Sequence, residues 1–191
     1  MKLLEERIRK DGKVYAGDVL KVDSFLNHQI DVDFLCEVGK EFYHIYKDCG
    51  VNKILTVEAS GIGVACLTAQ YFHCPAVFAK KSKTSNIGND FWSAKAHSYT
   101  HGTDNTLIVS KSYLGKGDRV LILDDFLANG CAATAMAELC EQAGAAVVGV
   151  GAVIEKAYQK GGDALRKSGF RVESLARIAS MSPEDGIRFC E

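Results

Sequence analysis

The sequence has almost no excess of charge of either sign. Lysine and arginine together number 23 and aspartate and glutamate 24, so the formal net charge of the 191 residues is −1. A chain that binds nucleic acid or an anionic membrane through its overall charge is usually strongly basic. We therefore expect neither partner, and any phosphate site must depend on local charge and on backbone amides.

Signals for zinc binding, secretion and membrane insertion are also missing. The seven cysteines contain no C-x-x-C pair, and their odd number and apolar surroundings favour buried thiols in a reducing compartment. The charged segment Met1–Arg7 does not have the pattern of a signal peptide. No apolar run is long enough to span a bilayer. These absences predict a cytoplasmic protein.

What the chain does contain is an alternation of apolar strand patterns with helical patterns. Its length fits one domain. Near-continuous apolar strands separated by helices predict an α/β fold with a mostly parallel central sheet and helices on both faces. The strands are predicted at 53–57, 75–79, 119–123, 146–154 and 171–175, and the helices between them at 61–73, 132–142 and 163–167.

Other segments are less regular. Residues 13–30 show no helical period and are predicted to be irregular, and Asp31 is expected to cap the helix that follows. The polar residues 82–93 predict a mobile loop that can close over a site. The segments 94–101 and 105–110 predict an antiparallel hairpin.

Polar residues follow four of the predicted strands. They are Glu58–Gly61, Lys80–Lys81, Asp124–Asp125 and Glu155–Lys156. Ligands of open parallel sheets bind beyond the carboxyl ends of the strands. We therefore expect these four segments to form one site.

The most informative segment is 120–134. Four apolar residues end in Asp124 and Asp125, and a turn of small residues leads into a helix. A helix N-terminus with small side chains lets backbone amides approach a phosphate, and the acids can accept hydroxyl donors. One acid can equally be a helix cap and the other a solvated side chain. The segment contains neither a Walker loop nor a dinucleotide fingerprint, so it predicts a site for a phosphorylated sugar.

The run Leu121–Gly130 resembles the phosphoribosyl-pyrophosphate signature of type I phosphoribosyltransferases, which is an apolar run, two acids and a small-residue loop that closes on glycine. Asn129 stands where threonine is usual, and Cys131–Ala133 where glycine and threonine often occur. The segments 20–29, 153–156 and 171–177 are similar to those of the xanthine-using bacterial members, so the resemblance covers almost the whole chain.

This resemblance implies the type I phosphoribosyltransferase fold in a single domain of residues 1–191, with a small hood formed by N-terminal and C-terminal segments that include 13–30. It implies a homodimer that transfers 5-phosphoribosyl from phosphoribosyl pyrophosphate to xanthine in purine salvage. Mg²⁺ would arrive with the pyrophosphate substrate, so no metal ligand in the protein is expected. The catalytic acids Asp124 and Asp125 would hold the ribose hydroxyls.

The resemblance also implies binding roles for other residues. Leu20 and Asn27 would bind the base, and Lys156 would reach an exocyclic oxygen of the purine. This fits xanthine, whose carbonyl oxygens at positions 2 and 6 need donors. The alternative is that Asn27 is a turn residue and Lys156 a solvated strand end. The residues expected to bind the sugar phosphate are Ala128, Asn129, Gly130, Cys131 and Ala132, and those expected at the pyrophosphate are Ser60, Gly61, Lys80 and Lys81.

Two other functions stay open. Guanine and hypoxanthine share the oxygen at position 6, and the amide of Asn27 can donate or accept, so an enzyme that prefers those bases is one alternative. The other is a non-catalytic regulator that senses phosphoribosyl pyrophosphate. Such a regulator needs a nucleic-acid-binding element, for which residues 1–12 are too short and the helices lack a basic stripe.

Overall fold

The structure is a computed structural model, and it describes residues 1–81, 90–97 and 104–190. The helices found in these residues are α1 (Lys2–Asp11), α2 (Val32–Tyr46), α3 (Gly61–Phe72), α4 (Cys131–Ala143) and α5 (Gly161–Lys167). The strands are β1 (Lys13–Tyr15), β2 (Val19–Lys21), β3 (Lys53–Val57), β4 (Ala76–Ala79), β5 (Phe91–His97), β6 (Asp104–Ser110), β7 (Arg119–Leu127), β8 (Ala146–Lys156), β9 (Val172–Ser182) and β10 (Gly186–Phe189).

The central sheet has the strand order β10-β9-β8-β7-β3-β4. Neighbouring strands from β9 to β4 run parallel, and only the edge strand β10 is antiparallel to its neighbour. Both β7 and β8 are buried along most of their length, because helices cover the two faces of a parallel sheet. The predicted α/β fold with a mostly parallel central sheet is confirmed.

Each face of the sheet has its own group of buried side chains. In β7, Leu121 and Leu123 belong to the core covered by α1, α2 and α3, whereas Val120 and Ile122 belong to the core covered by α4 and the β5–β6 hairpin. Successive side chains of a strand point to opposite faces, so one apolar run supplies both cores. The carboxyl end of the run is thereby fixed between two packed layers.

Residues 13–30 are more regular than the sequence pattern indicates. Lys13 pairs with Lys21 in the β1–β2 hairpin, and Asp23–Asn27 forms a π-helical turn. Strands of three residues are too short for their alternation to be recognised in a sequence. Both α1 and β1 contact β9, so the N-terminal and C-terminal segments lie together at one end of the sheet.

The β5–β6 pair confirms the predicted antiparallel hairpin but begins earlier than expected. Phe91 pairs with Ser110, so residues 91–93 are strand and the predicted loop is wrong there. The side chain of Trp92 explains this, since its Nε1 donates to the Leu114 carbonyl at 2.9 Å. The rest of the predicted loop, at 82–89, and most of the predicted turn, at 102–103, lie outside the described residues.

Neither a disulfide nor a membrane-spanning helix occurs in the described part of the chain. All seven cysteines lie within it and remain thiols. None of its helices combines the length and the apolar character needed to cross a bilayer. Cys140 is a buried residue of α4, and this burial raises the pKa of its thiol to about 12.

Helix α2 is anchored to the sheet by Tyr46. This side chain is fully buried, and its Oη donates to the Val150 carbonyl of β8 at 2.8 Å. Burial raises the pKa of the phenol far above its usual range, so the group remains a neutral donor. The contact ties the last turn of α2 to the middle of the sheet.

Tyr46→Phe is expected to lower the free energy of unfolding by about 0.5–1.5 kcal/mol, because it removes one buried hydrogen bond without changing the ring. Urea unfolding measures this change. Tyr113→Phe is the matched control, since Tyr113 is 64% exposed and loses no buried contact. Equal effects of the two substitutions would show that the Tyr46 hydrogen bond does not stabilise the fold.

Candidate active site

A cavity of about 320 Å³ opens at the carboxyl ends of β3 and β7. Three of the four polar segments predicted to form one site contribute to its wall, whereas the fourth, Glu155–Lys156, does not line it. The small-residue loop after β7 completes this wall, and the hairpin strand β6 closes one side. The lining residues that were predicted from the sequence are Ser60, Lys81, Asp124, Asp125, Ala128, Asn129, Cys131 and Ala132.

Both acids lie inside strand β7 and not beyond its end. The sequence pattern predicts a strand that stops at Leu123, but β7 continues to Leu127 through its pairing with β8. Within the described residues, its pairing with β3 ends at Ile122. The edge of β7 is therefore unpaired beside the two acids, and both line the same cavity although they are strand neighbours.

Asp124 and Asp125 are both almost completely buried, at 9% and 7% exposure. The backbone amide of Asp125 donates to Oδ1 of Asp124 at 3.0 Å, and Nδ2 of Asn27 donates to Oδ2 of Asp125 at 3.2 Å. Adjacent buried carboxylates repel each other unless donors or cations surround them. These two hydrogen bonds satisfy only part of that requirement.

The Asp124 carboxyl is therefore electrostatically strained. Its burial, followed by the charge and hydrogen bonding of Asp125, raises the pKa of Asp124 well above its usual range, and Lys81 offsets part of this effect. Among the described residues, no three His, Cys, Asp or Glu side chains are grouped to hold a metal ion. Two carboxylates accept hydrogen bonds and attract positive charge, so they suit a ligand that brings hydroxyl groups and its own cation.

The loop after β7 presents backbone amides at the start of α4. Gly130 has φ 84°, a left-handed conformation that favours glycine, and α4 begins at the next residue. The side chain of Asn129 accepts from the amide of Cys131 at 3.2 Å, so the residue that departs from the family pattern caps this turn itself. A small-residue turn of this kind at a helix N-terminus is typical of a phosphate-binding loop.

The turn between β3 and α3 forms the opposite wall. A Cβ atom on Gly61 would lie 2.0 Å from the Thr56 hydroxyl, so only glycine fits at this position. Glu58 accepts from the amide of Lys81 at 2.7 Å and so links this turn to the end of β4. The backbone of Lys80 pairs with Ile108 of β6 through two hydrogen bonds of 2.9 Å.

Lys156 lies apart from the cavity wall, next to the hood. Its Nζ donates to the Asp18 carbonyl at 2.5 Å and lies 5.7 Å from the centre of the Phe126 ring. Burial lowers the pKa of Lys156, and Asp18 partly opposes this change. The lysine is therefore held by a backbone oxygen at the place where the hood meets the sheet.

The structure brings Asn27 to the acids but gives Leu20 a different setting. Oδ1 of Asn27 is buried and has no hydrogen-bond partner among the described residues, while its Nδ2 is engaged by Asp125. Leu20 is 6% exposed and packs in the core with Val22. Its side chain offers a ligand little surface, so the apolar wall expected from it is small.

The sequence pattern did not identify several residues around the site, among them four that line the cavity, namely Val57, Ala96, Asn105 and Leu107. Phe126 lies under Lys156, Thr56 sits against Gly61, and Asp18 contributes a backbone carbonyl. Phe126 belongs to the recognised signature, so its position was available as a signal. Nothing in the sequence identifies a backbone oxygen as a partner, because any residue type supplies one.

Two buried acids, an amide-rich loop and a hood at one edge of a parallel sheet define a protein of the phosphoribosyltransferase class. A family model described as the phosphoribosyl transferase domain matches residues 33–178. The chain belongs to this family, which confirms the resemblance found in the sequence.

Relatives match over nearly the whole chain. A protein of Lachnoclostridium phytofermentans named xanthine phosphoribosyltransferase is 53% identical over 97% of this chain and 96% of its own length. A protein of Clostridium botulinum (strain Hall) named xanthine phosphoribosyltransferase 2 is 52% identical over 92% of this chain and 93% of its own. An adenine phosphoribosyltransferase structure from Leishmania tarentolae, 19% identical, has a TM-score of 0.76 with 91% of this chain and 87% of that chain covered, and it supports the fold.

Asp124→Asn is expected to raise the free energy of unfolding at neutral pH. Because the folded-state pKa of Asp124 is raised, the stability that this group contributes is complete below the unfolded value of 3.8 and is lost as the pH rises through the folded value. Asparagine does not titrate and keeps the acceptor for the Asp125 amide. The difference between the variant and the wild type should therefore grow with pH.

Urea unfolding at several pH values between about 4 and 8 measures this dependence. Asp48→Asn is the control, since Asp48 is exposed and its substitution should give a difference that does not grow in this way. A difference for Asp124→Asn that stays constant or shrinks with pH would contradict the assignment of the strain to this carboxyl.

Proposed function

We propose that this protein transfers the 5-phosphoribosyl group of phosphoribosyl pyrophosphate to xanthine and releases xanthosine 5-monophosphate and pyrophosphate. The observation that carries the proposal is that the geometry of the site suits the reaction after which the relatives are named. Two buried acids and an amide-rich loop share one cavity, and the relatives that match over at least 92% of the chain are named xanthine phosphoribosyltransferases. Purine salvage is the process that such a reaction serves.

The sugar half of the donor is held by the β7 segment in this proposal. The backbone amides of residues 128–132 bind the 5-phosphate, which the geometry of a helix N-terminus favours. Asp124 and Asp125 accept the ribose hydroxyls. Both carboxylates are then surrounded by donors, which removes much of the repulsion between them.

The pyrophosphate half lies against the opposite wall. The turn at Ser60 and Gly61 offers amides to the leaving group, and Lys80 and Lys81 neutralise its charge. Mg²⁺ would enter with the donor substrate and offset the charge of the pyrophosphate, and Asp124 and Asp125 would face it without forming a metal site of their own. The cation then compensates the charge that burial disfavours on Asp124.

The reaction exchanges one bond at the anomeric carbon. A ring nitrogen of xanthine forms a bond to this carbon, the bond to the pyrophosphate oxygen breaks, and the proton of the nitrogen passes to water or to the released pyrophosphate. The transition state resembles an oxocarbenium ion with negative charge growing on the pyrophosphate. The protein therefore contributes position and electrostatic stabilisation, and the acids do not act as a general acid and base.

The base half is assigned to the hood. Lys156 donates to the oxygen at position 6 after it releases the Asp18 carbonyl, and the Phe126 ring faces the purine. Asn27 serves position 2 of the base through Nδ2, the donor of its amide, which contacts Asp125 at 3.2 Å when no base is bound. Leu20 contributes its small exposed surface and its backbone.

The proposal includes a cytoplasmic homodimer with no nucleic-acid or membrane partner. Ile30 and Val32 support a subunit contact beside the hood, because these apolar side chains are 46% and 56% exposed at the start of α2. The near-zero net charge argues against a regulator that binds nucleic acid.

Pyrophosphate release should occur when the protein is incubated with phosphoribosyl pyrophosphate, Mg²⁺ and xanthine. The value of kcat/KM should be at least about tenfold higher for xanthine than for guanine or hypoxanthine, since one unsatisfied polar contact costs roughly that factor. Adenine serves as the negative control. No release with any base would exclude the enzyme, and equal values for guanine and xanthine would exclude the specificity.

Lys156→Ala should raise the KM for xanthine by about tenfold or more while the KM for phosphoribosyl pyrophosphate changes little, because one charge-assisted hydrogen bond to the base is lost. Lys116→Ala is the matched control, since Lys116 is exposed near the amino end of β7, away from the cavity. A change confined to the KM of phosphoribosyl pyrophosphate would show that Lys156 does not bind the base.

A further inference from the structure

The phosphate-loop segment 128–132 does not hold its shape alone, because the start of α5 packs against it. The amide of Gly161 donates to the Ala128 carbonyl at 3.1 Å. This hydrogen bond joins two segments that are far apart in the sequence. It fixes the first residue of the loop from outside the motif in which the loop was recognised.

The contact at Gly161 is backbone against backbone. A Cβ atom on Gly161 would lie 2.3 Å from the Ala128 oxygen, 2.4 Å from the Asn129 carbonyl carbon and 2.5 Å from the Gly130 nitrogen. These atoms belong to the main chain and cannot turn aside as a flexible side chain does. Any side chain at this position must therefore move the loop or move α5.

A buried ion pair holds α5 in place. Glu155, which is 1% exposed at the end of β8, accepts from both terminal nitrogens of Arg166 at 3.0 and 2.9 Å. Arg177 of β9 donates to the same carboxylate at 3.2 Å. These guanidinium groups lower the pKa of Glu155 against the opposing effect of its burial. Such a two-point pair fixes orientation as well as distance.

The ion pair and the loop contact are adjacent. A Cβ atom on Gly162 would lie 2.2 Å from Oε1 of Glu155, whereas the one on Gly161 would strike the loop. Two successive glycines thus let α5 touch the carboxylate on one side and the phosphate loop on the other. A chain of direct contacts connects Glu155 to Ala128.

We propose that Gly161 is a positioning residue for the phosphate loop and that the Glu155–Arg166 pair holds it there. The role of the loop as a phosphate site rests on the proposed function. The side chain of Arg166 contacts Glu155 and Gly161 contacts the loop, whereas the base half is served by Lys156 and Asn27. A fault in this support should therefore weaken binding of the sugar phosphate and leave base binding unchanged.

Gly161→Ala tests the proposal. Displacing the loop by about 1 Å should weaken ribose 5-phosphate binding by at least about tenfold. For comparison, a misplacement of this size in an active site can lower the reaction rate by about 10²-fold. Isothermal titration with ribose 5-phosphate measures it without any reaction. The KM for phosphoribosyl pyrophosphate should rise in parallel, while the KM for xanthine stays within about twofold.

Gly115→Ala is the matched control, because a Cβ atom on Gly115 meets nothing within 4 Å. It should bind ribose 5-phosphate as the wild type does. A folded Gly161→Ala variant with unchanged ribose 5-phosphate affinity would overturn the proposal. An equal rise in both KM values would overturn it too, since that is the result of a general structural disturbance.

Arg166 provides a second test if Gly161→Ala does not fold. Arg166→Met should weaken ribose 5-phosphate binding, and Arg166→Lys should restore only part of it, because lysine keeps the charge opposite Glu155 but not the two-point contact. Unchanged binding in folded Arg166→Met would overturn the role of the ion pair. A wild-type protein that binds ribose 5-phosphate but releases no pyrophosphate with any base would refute the proposed reaction alone, whereas one that does not bind it would refute both.

Discussion

The burial of two adjacent carboxylates at the end of β7 is the constraint on which the rest of the site depends. Asp124 and Asp125 are less than a tenth exposed, and burial together with the neighbouring charge of Asp125 raises the pKa of Asp124. Such a pair is favourable only where the surrounding sheet fixes its position and where a ligand supplies the hydrogen-bond donors and positive charge that the protein does not provide. The two packed layers on either side of β7 provide the first condition. In the proposed function, a donor that carries ribose hydroxyls and Mg²⁺ would provide the second.

The end of β8 organises the region around that centre. Glu155 and Lys156 are consecutive, and their side chains leave the strand in opposite directions. Glu155 binds Arg166 and so supports the phosphate loop through α5, whereas Lys156 reaches the Asp18 carbonyl of the hood. In the proposed function, one strand end therefore supports the sugar-phosphate half through Glu155 and the base half through Lys156.

Local patterns were sufficient for the sheet and for the loop after β7. Continuous apolar runs predicted the parallel strands, and Asp31 was recognised as a helix cap, which its 3.2 Å contact with the Phe34 amide confirms. The β1–β2 hairpin was missed because strands of three residues carry too little alternation, and the edge strand β10 was not predicted either. The end of β7 was placed too early, since its pairing with β8 extends a strand that the two acids interrupt in the sequence pattern. For the site, Lys81, Ser60 and the acids were expected at one cavity, but the setting of Leu20 in the core was not.

The sequence by itself determined the class of fold, the acids and the amide-rich loop, because each depends on neighbours within a few residues. Only the tertiary structure decided which distant groups meet. Asn27 reaches Asp125 across 98 residues, and Lys156 reaches Asp18 across 138. The support of the loop by Gly161 is likewise invisible in the sequence, where it is one small residue among others. Such contacts follow from how helices and strands pack in space, and their partners are often backbone atoms that every residue type possesses.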